Sequence, residues 1–216
     1  MPRPAGAAGG LAARAAGGLA ELVLASRNPG KLRELRALLA GLPVRVRAVD
    51  DAARVEWPEE GHDYESNAVA KAQLAARASG RPALGDDSGL EVDALGGVPG
   101  VRSERFGTSD ARRIERLLAA LAGVTEARRG ARFVCVAAFV TPAGDVATAR
   151  GECVGRILEA PRGAGGFGYD PVFEPQDAAA QGRSFAELAA AEKDRISHRG
   201  RALRALLPAI EACLHP

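Results

Sequence analysis

Cysteine, lysine, asparagine and aromatic side chains are all scarce in this chain of 216 residues, and each scarcity narrows what the protein can be. Three cysteines, Cys135, Cys153 and Cys213, are odd in number and widely spaced with no CxxC pair, which argues against a disulfide framework and against a zinc site. A reducing, cytoplasmic setting is expected. No stretch approaches the ~20 uninterrupted apolar residues of a membrane-spanning helix, so a soluble protein is expected. The formal net charge is only +2, and acidic residues are interspersed with the arginines. No basic stripe suited to coating a polyanion stands out, and no stable nucleic-acid partner is expected.

Of the 29 lysines and arginines, only Lys31, Lys71 and Lys193 are lysine, and Asn28 and Asn67 are the only asparagines. In a chain biased toward alanine, glycine and arginine, these five positions are candidates for chemistry that arginine or aspartate cannot copy: a compact ammonium or a neutral amide.

What is present is enough for a sizeable core, since 47% of residues are hydrophobic. Residues 1–20 are Ala/Gly-rich, with Arg3 and Arg14 as the only charged side chains and no continuous apolar core, and read as a disordered extension to a single domain spanning 21–216. Glu21 to Ala25 reads as a buried strand, Ser26 to Lys31 as a tight loop, and the leucines at 32, 35, 38 and 39 as a helix with Asn28 as N-cap and Pro29 at its first position. A half-exposed strand follows from Val44 to Val49, then an acidic loop carrying Glu56, Glu59 and Glu60. Tyr64 to Ala78 is an alanine-rich helix with Asn67 and Lys71 on one face. From Ala83 the pattern predicts a short strand, a Gly85 to Gly89 loop and a second apolar piece from Leu90 to Leu95. Asp110 to Leu121 is an amphipathic helix, Phe133 to Val140 a buried strand, and Val146 to Leu158 a longer strand. Ser184 to Glu187 is a capping box opening a helix, and Arg201 to Leu214 is the closing helix. Together these predict a mixed central sheet flanked by helices, an α/β fold of two lobes with the site in the cleft between them.

Four segments carry candidate chemistry. Ser26 to Lys31 places free backbone N–H groups, an amide and a lysine at a helix N-terminus, where a phosphate chain is stabilised, although the P-loop spacing is absent. Asp86 and Asp87 are adjacent carboxylates that would repel unless a cation or a basic group sits between them; a hard metal ion is the natural guest, with one aspartate orienting or deprotonating a bound water. Gly165 to Asp170 sets Phe167 and Tyr169 among flexible glycines, a composition suited to stacking on a nucleobase or to anchoring the loop in a core. Lys193 to Gly200 combines Lys193, His198 and Arg199, which suits a phosphate or a carbonyl oxygen.

In order along the chain, Leu24-Ala-Ser-x-Asn-x-Gly-Lys31, Asn67-Ala-x-x-Lys71-Ala, Asp86-Asp-Ser-Gly-Leu-x-Val-Asp-Ala-Leu-Gly-Gly97 with Pro99-Gly100, Gly166-Phe-Gly-Tyr-Asp-Pro-Val-Phe173 and Ile196-Ser-His-Arg-Gly200 resemble the Ham1-like family of non-canonical purine nucleoside-triphosphate pyrophosphatases. The resemblance runs from about Leu22 to the C-terminus, and it absorbs all three lysines and both asparagines. It implies hydrolysis of dITP, ITP and XTP to the monophosphate and pyrophosphate, with Mg2+ and a homodimer. It further implies that Ser26, Arg27, Asn28, Pro29, Gly30, Lys31 and Lys193 contact the triphosphate. Asp87 would be proton acceptor and magnesium ligand, Ser88 would lie at the substrate, and Phe167, Gly168, Tyr169, Asp170, His198 and Arg199 would line the base pocket. Two departures stand out. Ser66 precedes Asn67 where the family usually has glutamate, and the further metal-associated glutamate of the acidic loop is assigned to Glu59. Two rivals remain: a Maf-type pyrophosphatase acting on pyrimidine or modified nucleotides, and an arginine-rich binding module without catalysis.

Overall fold

The computed structural model describes residues 19–49, 55–58 and 61–214. The extension expected over residues 1–20 lies outside the described residues as far as position 18, and Ala20 already opens the first strand. In chain order the elements are β1 (Ala20–Ala25), α1 (Pro29–Leu39), β2 (Val44–Ala48), α2 (Tyr64–Ser79), β3 (Ala83–Val92), β4 (Pro99–Gly100), α3 (Asp110–Ala120), β5 (Gly130–Val140), β6 (Val146–Ile157), β7 (Phe173–Pro175), α4 (Ala190–Ile196) and α5 (His198–Leu214). The seven strands form one mixed sheet in the order β2-β1-β3-β5-β6-β7, with β4 added to β3. β1 runs parallel to β2 and β3, and the other pairings are antiparallel. No helix among the described residues is long and apolar enough to cross a membrane.

The expected mixed sheet flanked by helices is therefore present, with its core in three parts. On one face, Leu35 and Leu39 of α1 and Ala202, Leu203, Leu206 and Ile210 of α5 cover Leu22, Leu84, Cys135 and Phe139. On the other, the alanines of α2 pack on Val23, Ala83, Val134 and Val136. The far ends of β3, β5 and β6 carry a separate cluster around Phe133, Phe173, Phe185, Tyr169 and Leu117, which forms the second lobe. Phe133 and Phe173 meet edge to face at 4.7 Å, a favourable arrangement of their ring quadrupoles.

Three local expectations are corrected. Gly85 to Gly89 is not a loop between two strands but the middle of β3, a single strand of 10 residues. Its partner β5 is continuous over the whole stretch, pairing Asp86 with Ala137, Asp87 with Val136 and Ser88 with Cys135, so the ladder overrides the low strand preference of Gly-Asp-Asp-Ser-Gly. The capping box at Ser184 closes on a single 3-10 turn, Phe185–Glu187, not on a long helix. The closing helix begins at His198, which places His198 and Arg199 in its first turn.

The edge of β3 explains where the cleft lies. β1 accompanies β3 only through Ala83, Leu84 and Gly85, and β4 joins it only at Leu90 and Glu91. Between them Asp86 to Gly89 has β5 on one side and, among the described residues, no paired strand on the other, beside the turn from the carboxyl end of β1 into α1. Crevices at the carboxyl ends of parallel strands are where open α/β sheets take ligands.

Gly85 sets how closely α2 approaches this strand. A Cβ there would come within 2.6 Å of the Ala68 carbonyl oxygen and 2.9 Å of the Ala72 nitrogen, both backbone atoms. Gly85→Ala must push α2 away from β3, and we expect it to lower stability by about 1–3 kcal/mol in urea titration.

Candidate active site

Each functional side chain is placed by a feature legible in its own segment. Asn28 caps α1, its Oδ1 accepting from Gly30 N at 2.9 Å and Lys31 N at 3.3 Å, and Pro29 occupies the first turn. Its own N–H donates to Ser26 Oγ at 3.2 Å. The loop therefore folds as expected, with Lys31 in the first turn of the helix.

The pleat of β3 then separates the two adjacent carboxylates, because successive side chains of a strand point to opposite faces. Asp86 and Ser88 face α1 and α5, whereas Asp87 faces α2. No guest cation is needed between them, since each aspartate meets basic partners of its own. Asp86, 2% exposed, accepts on Oδ2 from Ser88 Oγ at 2.8 Å and from Arg199 Nε and Nη2 at 3.2 Å, and pairs with Lys31 at 3.1 Å. Asp87 accepts from Lys71 Nζ at 2.8 Å on one oxygen and from Asn67 Nδ2 at 2.9 Å on the other.

On the Asp86 face a buried chain of alternating charges crosses the cleft. Lys31 pairs with Asp86, Asp86 with Arg199, Arg199 with Glu34 of α1, Glu34 with Lys193 at 2.6 Å, and Lys193 with Asp170 at 2.5 Å. Three cations meet three carboxylates. Burial pushes the Asp86 carboxyl up, but Lys31 and Arg199 outweigh it and hold the group well below the usual carboxylate range. Burial likewise opposes the Glu34 anion, and Arg199 and Lys193 again prevail to lower it. For Asp87 the balance reverses: burial outweighs Lys71 and raises it.

A cavity of about 70 Å³ opens beside this chain, lined by Asn28, Lys31, Ser88, Phe133, Phe167, Lys193, His198 and Arg199 among others. The Phe167 ring has Lys193 4.8 Å and Arg199 5.7 Å from its centroid. It rests directly on Gly30, where a Cβ would come within 2.5 Å of the ring, so any side chain at that position displaces it. Tyr169 is placed differently from Phe167. Its hydroxyl donates to the Ser103 carbonyl at 2.9 Å and its ring joins the second-lobe core, so it anchors the loop. Asp170 is also structural to the loop, accepting from Phe167 N at 2.8 Å.

The structure thus gathers Asn28, Lys31, Ser88, Phe167, Gly168, Tyr169, Asp170, Lys193, His198 and Arg199 around one cavity. Arg27, Pro29 and Gly30 line an adjoining outer concavity, where the Arg27 guanidinium lies 5.3 Å from the Trp57 ring and donates to the Val55 carbonyl. Asp87 stands apart, on the opposite face of β3. Glu59 lies outside the described residues; Gly61, the next residue described after it, docks its N–H on Asn67 Oδ1 at 2.7 Å.

Sequence reasoning missed Glu34, one helical turn beyond Lys31; it singled out Asp86, Asn67 and Lys71 as candidates for chemistry and gave them no individual role at the site. The i,i+3 spacing from Lys31 was the available signal for Glu34, and the i,i+4 pair on α2 was the signal for Asn67 and Lys71. The Ser66 departure has a local explanation. Ser66 N and Oγ both donate to Asp63, the N-cap of α2, at 2.8 Å, so the carboxylate of a capping box sits at the N-cap and the donor three residues on. Glu65 does not substitute at the site, since it accepts from Thr148 on β6.

With this geometry the comparisons with known proteins agree. The model of the Ham1 family matches residues 22–209. The chain belongs to the Ham1 family. A dITP/XTP pyrophosphatase of Gloeobacter violaceus is 53% identical over 186 residues, 86% of this chain and 92% of that one. A HAM1 protein from Coxiella burnetii superposes with a TM-score of 0.76 at 38% identity, covering 90% of this chain and all of that one. A nucleoside-triphosphatase / dITP/XTP pyrophosphatase from Mycobacterium abscessus does so with a TM-score of 0.67 at 43% identity, covering 88% and 99%.

In this Ham1 chain His198 is buried, its ring stacked on Phe133 at 4.7 Å, and its Nδ1 has no hydrogen-bond partner among the described residues. Burial, then the charges of Arg199 and Lys193, lowers its pKa well below the usual 6.5. The folded state therefore keeps the imidazole neutral while the unfolded state takes up a proton below that value, so stability falls as pH drops through it. We expect denaturant titrations to show this loss between about pH 7 and 5 in the wild type, and His198→Phe to abolish that component.

Proposed function

We propose that this chain hydrolyses non-canonical purine nucleoside triphosphates, dITP, ITP and XTP, to the nucleoside monophosphate and pyrophosphate, as the names of its relatives describe for them. The observation that carries the reading is the placement of Asp87. Held by Lys71 and Asn67 on the α2 face of β3, it lies next in sequence to Ser88, which lines the cavity, and to Asp86, which pairs with Lys31 of α1. A triphosphate whose base enters the cavity would run past the Lys31 ammonium and the positive end of the α1 dipole toward this carboxylate.

Asp87 suits the role of proton acceptor better than Asp86. Burial raises Asp87, making it the stronger base, whereas Lys31 and Arg199 fix Asp86 as a permanent anion. In the reaction Asp87 would take a proton from the attacking water, the bond between the α- and β-phosphates would break, and pyrophosphate would leave with the bond's electrons. Lys31 and Lys71 would balance the charge that develops on the phosphate oxygens.

Mg2+ belongs to the same reading. Among the described residues no three carboxylate, imidazole or thiol groups converge on one point. The donor set nevertheless fits magnesium, which binds through one or two carboxylates and takes its remaining ligands from substrate phosphates and water. Asp87 would hold it, with Glu59 as the second carboxylate. The ion would supply charge neutralisation at the phosphates and a more acidic water.

For the base, Phe167 supplies a stacking face, and Arg199 and the neutral His198 supply polar contacts. A donor aimed at O6 is satisfied by a 6-oxo purine and left facing another donor by the 6-amino group of adenine. The reading further takes residues 21–216 as one domain, acting as a cytoplasmic homodimer.

Pyrophosphate release from dITP, XTP, GTP, ATP, dTTP and UTP, with and without magnesium, tests reaction, metal and base together. Turnover of dITP and XTP that requires magnesium is expected; preference for dTTP or UTP would instead indicate a Maf-type activity, and silence across the panel would overturn the reading. Asp87→Asn is expected to fold and to bind dITP while losing about 100-fold or more in kcat, the usual contribution of a general base.

A further inference from the structure

Phe167 belongs to a loop tied down at several points, and one of those ties comes from α3, outside the segments that carry the candidate chemistry. Three consecutive residues are anchored to three different places. Phe167 N donates to Asp170 Oδ2 at 2.8 Å, Gly168 N to Asp110 Oδ2 at 2.7 Å, and Tyr169 Oη to the Ser103 carbonyl at 2.9 Å. The anchors hold the backbone on both sides of the Phe167 side chain and leave its ring facing the cavity.

Asp110 is the anchor that reaches the loop by a side chain from a separate element. It opens α3, directly after the N-cap Ser109, and its other carboxylate oxygen accepts from Arg113 Nη1 at 2.5 Å. Arg113 in turn donates from Nε to the Glu104 carbonyl at 2.8 Å, in the 3-10 turn that also contains Ser103. One turn further along α3, Ile114 and Leu117 enter the same apolar cluster as Tyr169. The position of Asp110 is therefore fixed by the second-lobe core, and through Gly168 that core fixes the backbone beneath Phe167. Gly168 has φ of +64°, a conformation in which a glycine N–H can be aimed at a carboxylate without strain.

We propose that Asp110 is a positioning residue for base recognition: its carboxylate, accepting the Gly168 N–H, holds the Phe167 ring over the cavity. This rests on the reading of Phe167 as the base-stacking face. Asp110 borders the outer concavity and not the cavity itself; one of its oxygens acts on the loop through Gly168, and the other holds Arg113, which lines the cavity. Its loss affects the hold on the base and leaves the chemical step at Asp87 intact.

The experiment compares Asp110→Ala with Asp110→Asn in the full chain. The alanine variant removes both acceptors, whereas asparagine keeps an oxygen for Gly168 N–H and gives up the charge and the second acceptor that Arg113 uses. Two readouts are taken: KM and kcat for dITP, and amide hydrogen exchange of the 163–170 segment in the nucleotide-free protein. Asp110→Ala is expected to raise KM about tenfold with kcat within about twofold, one hydrogen bond to a charged group being lost. It should also speed exchange across the loop, and Asp110→Asn should restore both toward wild type. Equal defects in the two variants would mean that charge, not the hydrogen bond, matters, and would overturn the proposal. Unchanged loop exchange in Asp110→Ala would overturn it as well. Faster loop exchange with an unchanged KM would refute the link to base recognition. A wild-type chain that does not turn over dITP would refute the functional reading while leaving the exchange result to decide the anchor.

Discussion

Adjacent residues of a β-strand must point to opposite faces of the sheet, and everything in this site follows from where that constraint falls on Asp86 and Asp87. The first carboxylate goes to the face shared by α1 and α5, where it gathers Lys31 and Arg199. The second goes to the face covered by α2, where Lys71 and Asn67 meet it. Two like charges one residue apart thus occupy different electrostatic environments, one held far into its ionised form and the other raised toward basicity. The division between a fixed anion and the carboxylate proposed as proton acceptor is a property of the pleat before it is a property of any loop.

The chain of charges from Lys31 to Asp170 adds a second constraint. Buried ion pairs contribute little net stability, because the Coulomb attraction between partners is offset by the loss of hydration. What they confer here is geometry. Glu34 reaches both Lys193 of α4 and Arg199 of α5, so three helices are held in mutual register at one carboxylate. The cavity is bordered by this chain, and the directions in which Lys193 and Arg199 can donate are set by the partners they already have.

Most of the fold was legible because its elements announce themselves by period and punctuation. The Asn28-Pro29 cap, the alanine-rich α2 and the apolar run of β5 all appear where the pattern places them. The stretch Gly85 to Gly89 was misread as a loop because its residues individually disfavour strands; only the continuous β5 partner reveals otherwise, and a pairing is not a local property. The same reason hid Glu34. Nothing in its own helix distinguishes it from a solvated glutamate, and its role arises from Lys193 and Arg199, more than 150 residues away in sequence. Phe167 and Tyr169 look alike in sequence, and only the Ser103 carbonyl, reached from another part of the chain, tells the anchoring tyrosine from the ring that packs on Gly30 beside Lys193 and Arg199.

The alternating chain of charges also bears on how this protein can change over generations. Removing any one member strands an uncompensated charge in a buried setting, which costs about 3–5 kcal/mol, whereas exchanging two partners together for well-packed apolar residues need not. Substitutions at Lys31, Glu34, Asp86, Asp170, Lys193 and Arg199 are thus accessible in pairs and nearly closed one at a time. Drift at these six positions should be slow and correlated, even at Glu34 and Asp86, for which no direct contact with a substrate is invoked.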